Sequence, residues 1–137
     1  MKILIVEDDF SSRLLLQKFL APYGTCYIAA NGIEAVEAVK MALDTNEPYD
    51  LICLDIMMPE MDGQDALQCI RQLESQRGTF SSDGVKIVMT TALNDMKNIN
   101  QAFYSLCDGY VSKPLSKTKL LNILHTLGLI CQPMSNK

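Results

Sequence analysis

Glu7, Asp8 and Asp9 stand together near the start of the chain, Asp55 closes a run of four apolar residues, Thr91-Ala92 ends another such run, and Lys113 precedes Pro114. Carboxylates gathered in one pocket repel each other and take up protons unless a cation joins them. The one histidine, His125, falls in an apolar helix pattern, and the five cysteines carry no C-x-x-C pair and read as small buried hydrophobes. The candidate ligands are therefore hard oxygens, which suit Mg2+ or Mn2+ with retained waters and a backbone carbonyl. A lone acidic pair is usually a helix cap or a solvated turn. Acids at two strand ends, joined by a hydroxyl and a Lys-Pro, make a stronger signal.

For these groups to meet, the intervening elements must carry strand ends to one edge. Lys2–Val6 and residues 51–54 are apolar without alternation, as strands buried on both faces are, and residues 85–90 are predicted to form a further strand. Shorter strands are predicted over 25–30 and 109–111. Leu14, Leu15, Lys18, Phe19 and Leu20 repeat at helical spacing, with Asp9 or Ser11 as cap and Pro22 and Gly24 as stop. After the Asn31-Gly32 turn, Ile33, Val36, Val39, Lys40 and Leu43 mark a second helix. Met58-Pro59 and Asp62-Gly63 bend the chain beyond Asp55, and Ala66, Leu67, Ile70 and Leu73 form a third helix. The stretch 74–84, rich in Ser, Gly and charge, is predicted to be a long exposed connection. Met96, Ile99 and Phe103 mark a fourth helix, and Leu120, Ile123, Leu124 and Leu127 a fifth, with Gly128 at its C′ position. Strands alternating with helices, without internal repeat, predict an α/β fold: a doubly wound, five-stranded parallel (βα)5 sheet with helices on both faces. Right-handed crossovers then place all the strand carboxyl ends at one edge, where open α/β sheets bind ligands.

A chain of 137 residues suits one domain with a full core. The expected boundaries are a domain over 1–128 and a short tail over 129–137, with no output domain. A net charge of −4 and a pI near 4.9 disfavour nucleic acid or an anionic membrane as partners. No apolar run reaches the length of a membrane span, and the start meets three acids at once, so a cytoplasmic location is expected.

Glu7-Asp8, Asp55-x-x-Met58-Pro59-x-x-x-Gly63, Thr91-Ala92 and Lys113-Pro114 together resemble the receiver domain of two-component response regulators, the CheY-like proteins. The resemblance spans residues 2–127 and implies the flavodoxin-like strand order 2-1-3-4-5. It implies that Asp55 is the phosphoacceptor, taking a phosphoryl group from a sensor histidine kinase or a histidine phosphotransfer protein. Asp8 resembles a direct ligand of Mg2+, and Glu7 an acid holding the ion partly through water. Asp55 completes the side-chain ligands, and Met57 is expected to offer its backbone carbonyl. Thr91 is expected to hydrogen-bond a phosphoryl oxygen, Met57 and Ala92 to flank it, and Lys113 to pair with Asp55 or its phosphate. Tyr110, in Gly-Tyr-Val-x-Lys-Pro, resembles the switch aromatic that turns inward with Thr91, and the Lys113-Pro114 bond resembles one that is cis in the family. The implied output surface comprises the fourth strand, fourth helix, fifth strand and fifth helix. On it Met96, Asn100, Phe103, Tyr104 and Lys119 are candidates for contact with an unidentified downstream protein. A monomer or a weak, phosphorylation-dependent dimer is expected.

Asp8-Asp9 is the alternative metal pair, which would leave Glu7 aside. Leu106 stands where the family often ends a helix with Gly, so that corner is expected to be shaped differently. Met57 and Leu93 flank the phosphoryl position and cannot orient water, which predicts slow spontaneous hydrolysis. A Mg2+-dependent phosphatase or hydrolase with an aspartyl nucleophile is the competing reading. It would want a second Asp where Met57 stands. A flavin-binding protein would need a hydroxyl- and Gly-rich phosphate loop, and Glu7-Asp8-Asp9 would repel the phosphate.

Overall fold

The computed structural model describes residues 1–56, 58, 61–78, 84–92 and 106–131. The fourth predicted helix, with Met96, Asn100, Phe103 and Tyr104, lies outside the described residues, as do Met57, Pro59 and Leu93. Five parallel strands form one sheet in the order β2-β1-β3-β4-β5. They are β1 (Lys2–Val6), β2 (Thr25–Ala29), β3 (Leu51–Asp55), β4 (Lys86–Ala92) and β5 (Gly109–Lys113). Helix α1 (Phe10–Leu20) leads through a 3-10 turn (Ala21–Tyr23) into β2, and α2 (Gly32–Asp44) leads towards β3. Helix α3 (Gly63–Gln76) precedes β4, and a helix over Lys117–Thr126 follows β5. The predicted fold and strand order are those observed.

Strand alternation divides the core in two. Leu4, Val6, Ile52, Leu54, Ile87 and Met89 pack on one face with Ala35 and Val39 of α2 and Ala66, Leu67 and Ile70 of α3. Ile3, Ile5, Leu51, Cys53, Val88 and Val111 pack on the other with Leu16 and Leu20 of α1 and Leu120, Leu121 and Leu124 of the Lys117–Thr126 helix. β3 is buried along its whole length, as its unbroken apolar run predicts. Burial pushes the Cys53 thiol up to about 12, which keeps it protonated and inert.

The buried helix faces differ from the predicted ones. In α1 the core takes Leu16 and Leu20, one turn apart, whereas Leu14 and Leu15 are 49% and 41% exposed and Lys18 faces solvent. Three consecutive leucines leave the phase of a short helix open, and the fit to the sheet decides it. In α2 the buried residues are Gly32, Ala35, Val39 and Ala42, while Ile33 and Lys40 are exposed. Small residues let that helix lie close, and a Cβ on Gly32 would meet the Met61 carbonyl oxygen at 2.4 Å.

The largest correction concerns residue 74. Helix α3 continues through it to Gln76, and Glu74 is buried rather than part of an exposed connection. The Arg71 guanidinium donates to the Leu106 carbonyl at 2.9 Å, to the Val85 carbonyl at 2.9 Å and to Glu74 Oε1 at 2.7 Å. It also donates to Asp108 Oδ2 at 3.0 Å, which in turn accepts the Ile87 N–H at 2.8 Å. Glu74 Oε2 accepts the Val85 N–H at 2.7 Å. This network shapes the Leu106 corner without a glycine, since Asn46 alone among described non-glycine residues has positive φ. It ties α3 to the entrances of β4 and β5, at the sheet edge opposite Asp55.

Candidate functional site

β1 and β3 run side by side with Val6 opposite Leu54, so the residues that follow, Glu7 and Asp55, emerge together. Glu7 is fully buried and Asp55 is 4% exposed, while Asp8 faces solvent. Carboxylate oxygens of Glu7, Asp8 and Asp55 all lie within 4.8 Å of one another. Asp9 stands apart: its Oδ2 accepts the Ser12 N–H at 2.9 Å and caps α1. Those hydrogen bonds hold the Asp9 carboxyl below its ordinary value, and it is Glu7 and Asp8 that converge with Asp55.

Lys113 reaches this cluster from β5. Its register partner on β4 is Ala92, and Asp55 lies on the strand beyond, about 9–10 Å from β5 across two strand spacings. The ammonium spans that gap, lying 3.0 Å from Glu7 Oε1 and 3.6 Å from Asp55 Oδ2. Alternation puts Ala92 on the face that the lysine crosses, where a larger side chain would obstruct it. The Lys113-Pro114 peptide bond is cis, as the resemblance implies. Burial opposes the charge on Lys113, but hydrogen bonding to Glu7 and the charges of Asp55 and Glu7 outweigh it, and its pKa is raised.

The acidic set fits a hard divalent cation. Glu7 Oε1 is buried with the Lys113 ammonium 3.0 Å away, and the three carboxylates converge from two strand ends. Oxygen donors of this kind, part buried and part open to water, suit an ion that keeps some of its hydration shell.

Gly63 fixes how the chain turns back beyond Asp55. A Cβ there would stand 2.2 Å from the Asp55 carbonyl oxygen and 2.8 Å from Ile56 Cα. Its N–H donates to the Ile56 carbonyl at 2.8 Å, and the Asp62 side chain accepts the Asp65 N–H at 2.9 Å to cap α3. Gly63→Ala is expected to lower stability by about 1–3 kcal/mol through backbone overpacking, read from the urea midpoint at unchanged slope.

Thr91 and Thr90 straddle β4. Thr91 is buried, pairs with Ser112 across the strands, and donates its hydroxyl to the Ala92 carbonyl at 3.2 Å. Alternation points it to the α2–α3 face, together with Met89 and Tyr110. Tyr110 is 36% exposed and lines an open cavity of about 300 Å³ with Ser112, Lys119, Asn122 and Ile123. Thr90, by contrast, is the register partner of Asp55 itself and is fully buried. Thr90 belongs to none of the motifs in the sequence. Its one signal is a hydroxyl at the inward-facing end of an otherwise apolar run.

The model of the response regulator receiver domain family matches residues 3–125. The chain belongs to that family. Among curated relatives, this receiver is 37% identical over 133 residues to the hybrid signal transduction histidine kinase G of Dictyostelium discoideum, covering 95% of this chain and 4% of the kinase. It is 32% identical over 124 residues to the sensor histidine kinase GacS of Pseudomonas protegens, covering 90% of this chain and 13% of that protein. The receiver thus spans a small part of the relatives it matches. Among solved structures it resembles the co-crystal structure of the Saccharomyces cerevisiae phosphotransfer protein Ypd1 with the receiver domain of its downstream response regulator Ssk1. The TM-score is 0.76 at 29% identity, covering all of this chain and 94% of the other. It also resembles the receiver domain of a Pseudomonas aeruginosa sensor histidine kinase with a magnesium ion coordinated in its active-site cleft. There the TM-score is 0.72 at 28% identity, over 93% and 97% of the two chains. No described helix of this receiver is long and apolar enough to cross a membrane.

Proposed function

We propose that Asp55 accepts a phosphoryl group from a phosphohistidine and that the receiver signals through the change this makes. The observation that carries the reading is the meeting of Asp55 with Glu7 and Asp8 within 4.8 Å and with the Lys113 ammonium at 3.6 Å. An Asp55 oxygen attacks phosphorus, the phosphorus–nitrogen bond breaks, and the histidine leaves with its ring nitrogen restored. Phosphoryl transfer depends on charge neutralisation and in-line positioning more than on covalent assistance. Glu7, Asp8, Asp55 and the Met57 carbonyl are the proposed ligands of Mg2+ or Mn2+. When bound, the ion supplies positive charge to the transferring oxygens. Lys113 adds a second positive charge, and the Thr91 hydroxyl a donor that turns from the Ala92 carbonyl to a phosphoryl oxygen.

The donor is a histidine kinase or a histidine phosphotransfer protein. Helix α1 starts beside the acids and presents Phe10, 62% exposed, and Leu14 one turn on, an apolar face suited to a helical partner. Phosphorylation adds about −1.5 to −2 charge beside Thr91. Movement of Thr91 and an inward turn of Tyr110 then remodel the surface of β4, β5 and the Lys117–Thr126 helix, which a downstream protein reads.

Incubation with acetyl phosphate and Mg2+, followed by mass spectrometry of the intact chain, tests the proposal. One added phosphate is expected, absent in Asp55→Asn and after removal of divalent metal with a chelator. Continuous turnover of phosphate esters would instead make the protein a hydrolase.

A further inference from the structure

The Thr90 hydroxyl is fully buried and, among the described residues, has no hydrogen-bond partner. An unsatisfied buried hydroxyl is unfavourable relative to a methyl group of the same shape. Its position is specific. Thr90 is the Cα partner of Asp55 across β3 and β4, and strands in a sheet lie about 4.8 Å apart. Paired residues of parallel strands point to the same face. The packing agrees: Cys53 and Val88, two residues before Asp55 and Thr90, lie in one core cluster with Val111, which pairs with Thr90 and lies two residues before Lys113. Thr90 therefore stands beside the Asp55 carboxylate, beneath the path by which Lys113 reaches it, while Thr91 points to the opposite face.

We infer that Thr90 is a positioning residue for the phosphoacceptor: its hydroxyl, unpaired in the resting protein, donates a hydrogen bond to the Asp55 side chain once the site is loaded and the carboxylate shifts. A rotation about one side-chain bond suffices, since a threonine hydroxyl reorients without moving the backbone. Loading draws the Lys113 ammonium and the Asp55 oxygens towards the incoming phosphoryl group, which leaves room for a donor from below. The hydroxyl thus destabilises the unloaded protein and favours the loaded one. This inference rests on the proposed role of Asp55 as phosphoacceptor.

Thr90→Val keeps the shape and removes the hydroxyl, and Thr90→Ser keeps the hydroxyl. The rate of phosphate gain from acetyl phosphate with Mg2+ is measured by mass spectrometry for the wild type and both variants, and Tm is measured on each unphosphorylated chain. Thr90→Val is expected to melt roughly 3–5 °C higher, because an orphaned polar group is gone. It is expected to gain phosphate about tenfold more slowly, because a hydrogen bond to a charged group is lost in the transition state. Thr90→Ser is expected to keep a rate close to the wild type. The opposed signs separate positioning from packing, since a merely structural threonine would change Tm and leave the rate alone. A Thr90→Val rate equal to the wild type, or an equal slowing in both variants, overturns the inference and leaves the phosphoacceptor reading intact. A wild-type chain that takes no phosphate overturns both.

Discussion

Arg71→Met is expected to be among the most damaging single substitutions outside the phosphoacceptor site, lowering stability by about 3–5 kcal/mol as breaking a buried ion pair does. Arg71 is 7% exposed and Glu74 4% exposed, so the abandoned carboxylate has little water to turn to. Glu74 would keep the Val85 N–H but lose its guanidinium partner at 2.7 Å, and the carbonyls of Leu106 and Val85 would lose the same group's donors. Methionine fills the volume, which separates lost polar pairing from a cavity. Urea unfolding monitored by circular dichroism gives the number. Glu74→Gln keeps an acceptor for the Val85 N–H and is expected to cost less, about 1–3 kcal/mol. Equal costs would mean that charge, not hydrogen-bond count, governs the network.

Lys113→Met is expected to act at the other edge and to depend on metal. Without divalent cations, Glu7 and Asp55 would face each other across the space the ammonium now fills at 3.0 and 3.6 Å. The lysine side chain is a quarter exposed, so the cost is set below that of a fully buried pair, at about 2–3 kcal/mol. Millimolar Mg2+ is expected to recover part of it, since a second cation source replaces the first. Phosphate gain from acetyl phosphate is expected to stay impaired, because in the proposed reaction the lysine charge is aimed at the transferring oxygens. The pH dependence has a fixed sign. The pKa of Lys113 is raised above 10.5 in the folded chain, so its stabilising contribution is complete below that value and is lost as pH rises through the folded pKa. Alkaline titration of metal-free protein should therefore narrow the gap between wild type and Lys113→Met. A gap that widens with pH, or no effect of Mg2+, would refute the assignment of a shared cation site.

Much of the site was legible because its groups sit at strand ends that apolar runs announce. Leu51 to Leu54 point straight at Asp55, and Lys2–Val6 at Glu7-Asp8. A parallel sheet then allows them one meeting place. The helix faces were less legible. Leu14, Leu15 and Leu16 are chemically alike, and contact with the sheet rather than hydrophobicity selects Leu16. Arg71 and Glu74 escaped notice for another reason. With Gly63, Ala66, Leu67 and Ile70 they complete the buried stripe of α3, at positions where periodicity expects apolar residues. A cation and an acid three apart on such a stripe was the available signal. Nothing local in the sequence reveals the three carbonyl and carboxylate partners that Leu106, Val85 and Asp108 bring from far along the chain.

The Arg71–Glu74 network also has a consequence for how the chain tolerates change in length. Glu74 and Val85 are joined directly through Glu74 Oε2 and the Val85 N–H, and Gly84 lies so close that a Cβ would meet Glu74 Oε1 at 2.3 Å. The chain is thereby pinned on either side of the connection between α3 and β4. For a segment closed at its base, each doubling of length adds only about 0.6 kcal/mol of closure entropy. A change of length between Gly78 and Gly84 is therefore expected to leave the Glu74–Val85 bond in place, and with it Asp55 at the far edge of the sheet.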